Sequence, residues 1–188
     1  MSQSFRFYPG EYRIRPAAAG WEARACAALR RSVFCGEQKI FDTDDGDAVD
    51  AGATHIAALS YMFAQPEQVV GTVRIHALDA GVWMGSRLAV QHDYRGEHAL
   101  GHKLIQHAVQ LARARGCTQF LAHVQWQNVA LFERLHWHSI DSVELHGRPH
   151  VLMQADLAFY PPAPREEVAL LTATRAARPR AVPALEAA

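Results

Sequence analysis

Two stretches of the chain combine residue types and spacings that could do chemistry. The first is Arg95-Gly96-Glu97-His98-Ala99-Leu100-Gly101-His102, and it leads into Leu104, Ala108, Leu111 and Ala112, apolar residues spaced by three and four. That periodicity predicts an amphipathic helix that runs to Arg115 and is ended by Gly116, with residues 95–102 at its start. A helix start offers unpaired N–H groups and a partial positive charge, and small residues let a phosphate reach both, so the stretch is a candidate anion cradle. The second is residues 120–127. Period-two reading puts His123, Gln125 and Gln127 on one strand face and Ala122, Val124 and Trp126 on the other. An imidazole there titrates near neutral pH and could carry a proton, or could be a hydrogen-bonded structural group.

Other clusters point elsewhere. Asp42, Asp44, Asp45, Asp47 and Asp50 crowd a loop around Gly46, but the glycine comes one residue early for an EF-hand and Ala53 stands where its glutamate belongs. A solvated acidic loop is expected instead. Eleven histidines raise the question of a metal. His136 with His138, or His146 with His150, could pair, but no third ligand falls in register and no metal is expected.

The elements that must position these groups follow in order. Residues 11–16 alternate and meet proline, which suggests a first strand. Residues 21–35 read as a helix whose apolar stripe is Trp21, Ala25, Leu29 and Val33. Two strands, 55–62 and 69–78, form a hairpin through Gln65-Pro66-Glu67-Gln68, and a fourth strand, 82–90, enters the cradle. A fifth, 120–125, follows the long helix, so strand, helix and strand make a right-handed parallel crossover. A short helix, 129–135, and two strands, 139–146 and 149–157, joined at Gly147-Arg148, complete residues 1–160. From Pro161 the composition turns to Ala, Pro and Arg, so residues 161–188 are expected to form a flexible tail, with a helix over 165–175 touching the body through Val168 and Leu171 as the alternative.

With 188 residues, 49% hydrophobic and 20% charged, the chain fits one globular domain with a substantial core. Its 19 basic and 19 acidic residues balance, which leaves no overall footprint for nucleic acid or an anionic membrane. Cys26, Cys35 and Cys117 are odd in number and widely spaced, so reduced thiols and a cytoplasmic protein are expected. No secretory leader opens the sequence, and no apolar run approaches the roughly 20 residues of a membrane span.

Several motifs resemble one superfamily. Residues 95–101, after a strand, are similar to the acyl-CoA motif of GNAT N-acetyltransferases, Arg/Gln-x-x-Gly-x-Gly/Ala, with one residue inserted around Glu97 or His98 and Ala99 at the middle glycine. Arg30-Arg31-Ser32-Val33-Phe34-Cys35-Gly36-Glu37-Gln38 resembles the Arg-x-x-Val-Phe-x-x-Glu-Gln of ElaA-like GNAT proteins and, less closely, of autoinducer synthases. Asn128 and Leu131-Phe132-Glu133-Arg134-Leu135-His136-Trp137 are similar to the region Asn-(x)-Ala-x-x-Tyr, with Phe132 at the tyrosine. Three further strings, 85–90, 120–128 and 147–157, resemble a narrower N-acetyltransferase group linked to a bacterial nitrilase gene cluster and nitrogen starvation. The likeness spans about residues 12–157.

The resemblance implies an α/β (α+β) GNAT fold, with a mixed sheet of about six to seven strands flanked by helices and a parallel crossover at the CoA-binding helix. It implies acetyl-CoA as co-substrate, bound by Leu88, Ala89 and Val90 on a splayed strand, by Arg95, Gly96, Glu97, His98, Ala99, Leu100, Gly101 and His102 at the cradle, and by Asn128 and Phe132. Glu37 falls where the superfamily walls the acceptor site, which makes it a catalytic candidate beside His123, with a solvated helix end as the alternative. The fourth and fifth strands hold no carboxylate to act as base, which leaves His123 as the candidate base or water relay. Phe132 cannot give the leaving thiolate a proton. The expected partner is a small-molecule amine, with a homodimer left open. The alternative is a catalytically silent acyl-CoA-binding module that senses or regulates.

Overall fold

The computed structural model describes residues 11–96, 99–163 and 166–171. Its eight strands form one sheet in the order β6-β7-β5-β4-β3-β2-β1-β8. They are β1 (Glu11–Pro16), β2 (Thr54–Met62), β3 (Gln65–Asp79), β4 (Val82–Val90), β5 (Gln119–Gln125), β6 (Trp137–Leu145), β7 (Arg148–Ala155) and β8 (Val168–Leu171). Every neighbouring pair is antiparallel except β4 and β5, which α2 (Leu100–Ala114) joins by the expected crossover. The fold is therefore the mixed α/β architecture that the motifs imply.

Alternation along β2 divides the core in two. Ile56 and Ala58 join Leu104, Ala108 and Leu111 of α2, whereas Ala57 and Leu59 join Cys26 of α1 (Gly20–Arg31) on the other face. The short α3 (Val129–Arg134) adds Phe132 to the α2 side.

Five expectations need correction. The face of α1 that points inward carries Glu22, Cys26 and Arg30, while Trp21 of the expected stripe is 37% exposed. Charge pairing overrides the apolar pattern here. Arg15 binds Glu22 through two hydrogen bonds of 2.7 and 2.9 Å, and Arg30 reaches Asp45 at 2.7 Å. The acidic loop is consequently not a solvated one: Asp45 is 2% exposed, and Asp47 and Asp50 hold Arg74. The first hairpin turns at Phe63 and Ala64, both at positive φ, so residues 65–68 lie within β3. The second turns at His146 and Gly147, again both at positive φ.

The fifth correction is the tail. Residues 168–171 form a strand, not a helix or free coil, and pair with β1 from Glu11↔Leu171 to Ile14↔Val168. Nearby, the His107 Nε2–H donates to the Glu166 carbonyl at 2.8 Å, and Glu167 pairs with Arg13 and Arg15. This strand makes the sheet eight-stranded. Residues 172–188, expected to be flexible, lie outside the described residues.

Candidate active site

β4 and β5 pair only from Val82↔Gln119 to Gly85↔Ala122. β4 then runs on to Val90 and β5 to Gln125 without ladder contact between them, so the strands part into a cleft. The backbone N–H and C=O groups that face across it have lost their strand partners. Two local features make this opening. At Gly85 a Cβ would meet Phe120 Cε1 at 2.9 Å, so the ring packs against bare backbone. Just beyond, Thr72 pairs with Ala89 but Arg74 with Ser86, which leaves Arg87 and Leu88 opposite a single β3 residue. Arg87 adopts a φ of 54° in this bulge.

The cleft deepens into a cavity of about 200 Å³. It passes between the strands, because Ala122 and Val124 line it from the α2 side and His123 and Gln125 from the α1 side. Leu88, Asn128 and Phe132 also line it. Ser86 and His123 are the first residues past the last ladder pair, one on each lip. The Arg74 Nε–H donates to Ser86 Oγ at 3.0 Å, so the hydroxyl proton remains to be given to something else.

His123 opens onto the cavity from β5. Burial first, and then the neighbouring His150, pushes its imidazole below the ordinary value of 6.5, so it is neutral at physiological pH. His150 is fixed by an Nδ1–H bond of 2.9 Å to the Arg148 carbonyl. A π-helical turn, Ser32–Glu37, extends α1 and places Phe34 in the cavity wall. The following loop is tied down where Gln125 Nε2 donates to Gln38 Oε1 at 3.0 Å.

At the cradle, the first intrahelical bond of α2 runs from Lys103 N to the Ala99 carbonyl. The amides of Leu100, Gly101 and His102 thus have no acceptor within the helix, and Ala99 supplies no side-chain cap. Ala99 sits at φ 51° and Gly96 at φ 75°, left-handed conformations that explain why a glycine suits position 99. Burial, then Lys103 and Arg134, lowers the His102 pKa. The free amides fit a pyrophosphate. Arg95 braces the turn, with Nε donating to the Val90 carbonyl at 2.9 Å and Nη2 to Glu37 Oε2 at 2.6 Å.

The structure brings most of the sequence candidates together but divides them by position. Leu88, His123, Asn128 and Phe132 line the cavity, whereas Ala89 is buried against Val33 and Phe34. Glu37 is not among the residues that line the cavity, and its carboxylate accepts from Arg95. Glu97 and His98 lie outside the described residues. Phe132 is 7% exposed and packs edge-to-face on Trp137, with ring centroids 5.0 Å apart. Among the described residues no group of His, Cys, Asp or Glu could hold a metal ion.

Sequence reasoning missed Arg74 and Arg87. Together with Arg30 they neutralise Asp45, Asp47 and Asp50 beside the cavity. Only the run of acids around Gly46 signalled this network, since its three arginines come from separate elements.

A model of the acetyltransferase (GNAT) family matches residues 27–137. Among solved structures, a candidate N-acetyltransferase from Lactobacillus plantarum is 24% identical, with a TM-score of 0.68 over 77% of this chain and 97% of that one. Escherichia coli ElaA is 19% identical, with a TM-score of 0.63 over 77% and 98%. A phosphinothricin acetyltransferase from Sinorhizobium meliloti, solved with acetyl-CoA, is 22% identical, with a TM-score of 0.58 over 75% and 85%. No curated protein matches the chain.

Proposed function

Because this chain belongs to the acetyltransferase (GNAT) family and is an acyl-CoA N-acyltransferase, we propose that it moves an acetyl group from acetyl-CoA to the amine of a small molecule by direct attack. The parting of β4 from β5 carries this reading. It leaves backbone N–H groups at Leu88–Val90 that can hold the pantetheine arm and the thioester carbonyl, in line with the free amides at the start of α2. The acceptor then enters from the α1 side, where His123 is neutral and able to take a proton from the amine. No serine or cysteine nucleophile is required, because the amine itself attacks. Ser86, whose oxygen already accepts from Arg74, has its proton free for the developing oxyanion. Glu37 acts through Arg95 as a positioning group for the cradle.

The motif strings at 85–90, 120–128 and 147–157 support kinship with the nitrilase-linked, nitrogen-starvation group, and free Cys26, Cys35 and Cys117 support a cytoplasmic setting. A second reading, a silent acyl-CoA sensor, is favoured by one observation: Phe132, buried against Trp137, has no proton to give a leaving thiolate.

A titration of CoA together with thiol release across an amine panel separates the readings. Turnover supports the transferase, while tight CoA binding with no release from any amine supports the sensor. Gly101→Glu should weaken CoA binding at least 10-fold, because the new carboxylate would lie where the pyrophosphate sits. Unchanged affinity in a folded variant would move the cradle elsewhere.

A further inference from the structure

We propose that the acceptor is an amine that carries a carboxylate on an apolar body, such as an amino acid with a large apolar side chain, and that Arg87 receives the carboxylate. The inference rests on the acetyl-transfer reading and concerns the same cavity.

The chamber on the α1 side has apolar walls, with Phe34, Phe41 and Leu145 among them. Among the described residues its charged or titratable lining consists of Arg87, His123, His146 and His150, with no Asp or Glu. An amine reaches such a site as an ammonium ion. A chamber built for a polycation would supply carboxylates, whereas this one supplies a guanidinium and imidazoles. An acceptor with its own anion resolves the mismatch: its carboxylate satisfies the cation, and its ammonium can pass a proton to neutral His123.

Arg87 has the free valence for this. Its Nε and Nη2 donate to the Asp45 carbonyl at 3.2 and 3.0 Å, and they approach the carboxylates of Asp45 and Asp47 at 3.0 and 3.2 Å. Its Nη1 makes no hydrogen bond among the described residues. The guanidinium lies 4.7 Å from the Phe41 ring centroid, and Phe41 in turn packs against His146, so cation, aromatic ring and imidazole form one wall.

The charge balance agrees. For Arg30 and Arg74, hydrogen bonds donated to the aspartates overcome burial and raise the pKa. For Arg87, burial, followed by Arg74, outweighs Asp45 and Asp47 and lowers it. Of the three arginines, Arg87 alone faces the cavity. The residue also sits at a φ of 54°, a left-handed conformation disfavoured for an arginine that accompanies the bulge.

The test uses the full chain with CoA bound. Calorimetry compares N-acetyl-L-phenylalanine with N-acetylphenethylamine, and N-acetyl-L-leucine with N-acetylisoamylamine, pairs that differ only in the carboxylate. Thiol release from acetyl-CoA is followed in parallel with L-phenylalanine, L-leucine, phenethylamine and spermidine. The carboxylated ligand of each pair should bind at least 10-fold more tightly, and that ratio should collapse towards one in Arg87→Gln. Equal binding within both pairs, binding of neither, a preference for spermidine, or a ratio unchanged in folded Arg87→Gln overturns the assignment. If the variant fails to fold, the ligand pairs on the native protein decide. A carboxylate preference without turnover upholds the role of Arg87 and removes the transfer reading, while turnover confined to phenethylamine or spermidine does the reverse.

Discussion

His123 stands past the last β4–β5 ladder pair with a lowered pKa, so its competence as a base extends below neutral pH. The rate should hold near pH 7 and fall with acid as the imidazole protonates. His123→Ala should lower kcat about 10-fold or more at neutral pH, within the ~10²–10⁴-fold range of general acid–base help, and erase that acid limb. An unaltered pH–rate profile would remove His123 from the chemistry. Phe132 raises a separate question about the leaving group. A thiolate departs readily, so the missing hydroxyl should slow turnover without abolishing it. Phe132→Tyr should raise kcat under saturating acetyl-CoA, and a rate that stays flat or drops would show that the buried ring serves packing on Trp137 instead.

At the scale of elements, β8 closes the β1 edge of the sheet, and its loss would expose both the strand and Ile14 beneath it. A chain ending at Pro162 loses four paired positions, the His107–Glu166 bond and the ion pairs of Glu166 and Glu167. Most of these groups are exposed, so the cost is that of a few hydrogen bonds at about 1 kcal/mol each, roughly 2–3 kcal/mol in all. A domain of this size should then melt about 4–10 °C lower. Coincident melting curves for the two chains would show that the edge strand contributes nothing.

For the whole molecule, the buried titratable groups set the response to acid. His55, His76 and His107 have folded pKa values pushed below 6.5, by burial first in each case. The unfolded chain therefore binds those protons more readily, and stability should start to decline as pH drops below 6.5. Asp47 and Asp50 are displaced downwards from 3.8 by Arg74 and Arg30, so their contribution is complete above 3.8 and is lost as pH falls further. Thermal melts should fall gently from pH 7 to 5 and steeply below 4. A melting temperature independent of pH between 7 and 5 would clear the histidines of any part in the first decline.

Much of the fold was legible locally. β4 was expected at the residues it occupies, α2 and β5 within a residue or two, and the crossover between them followed from chain direction. Periodicity and glycine placement encode these elements in neighbouring residues, and the same is true of the start of α2 at Leu100. What failed depended on contacts between distant residues. Residue types alone made the aspartate loop solvated and put Trp21 on the inner stripe of α1, because the partners of the aspartates, Arg30, Arg74 and Arg87, lie on separate elements, as does Arg15, the partner of Glu22. β8 was invisible for a similar reason: four residues in an Ala/Pro/Arg-rich stretch become a strand only where the open edge of β1 accepts them. Sequence by itself determined the family and the order of elements from β1 to β7. Only the tertiary structure decided which charges are buried, which partner Glu37 takes and what walls the cavity, because each of these depends on pairing across the sheet and is not a property of any one segment.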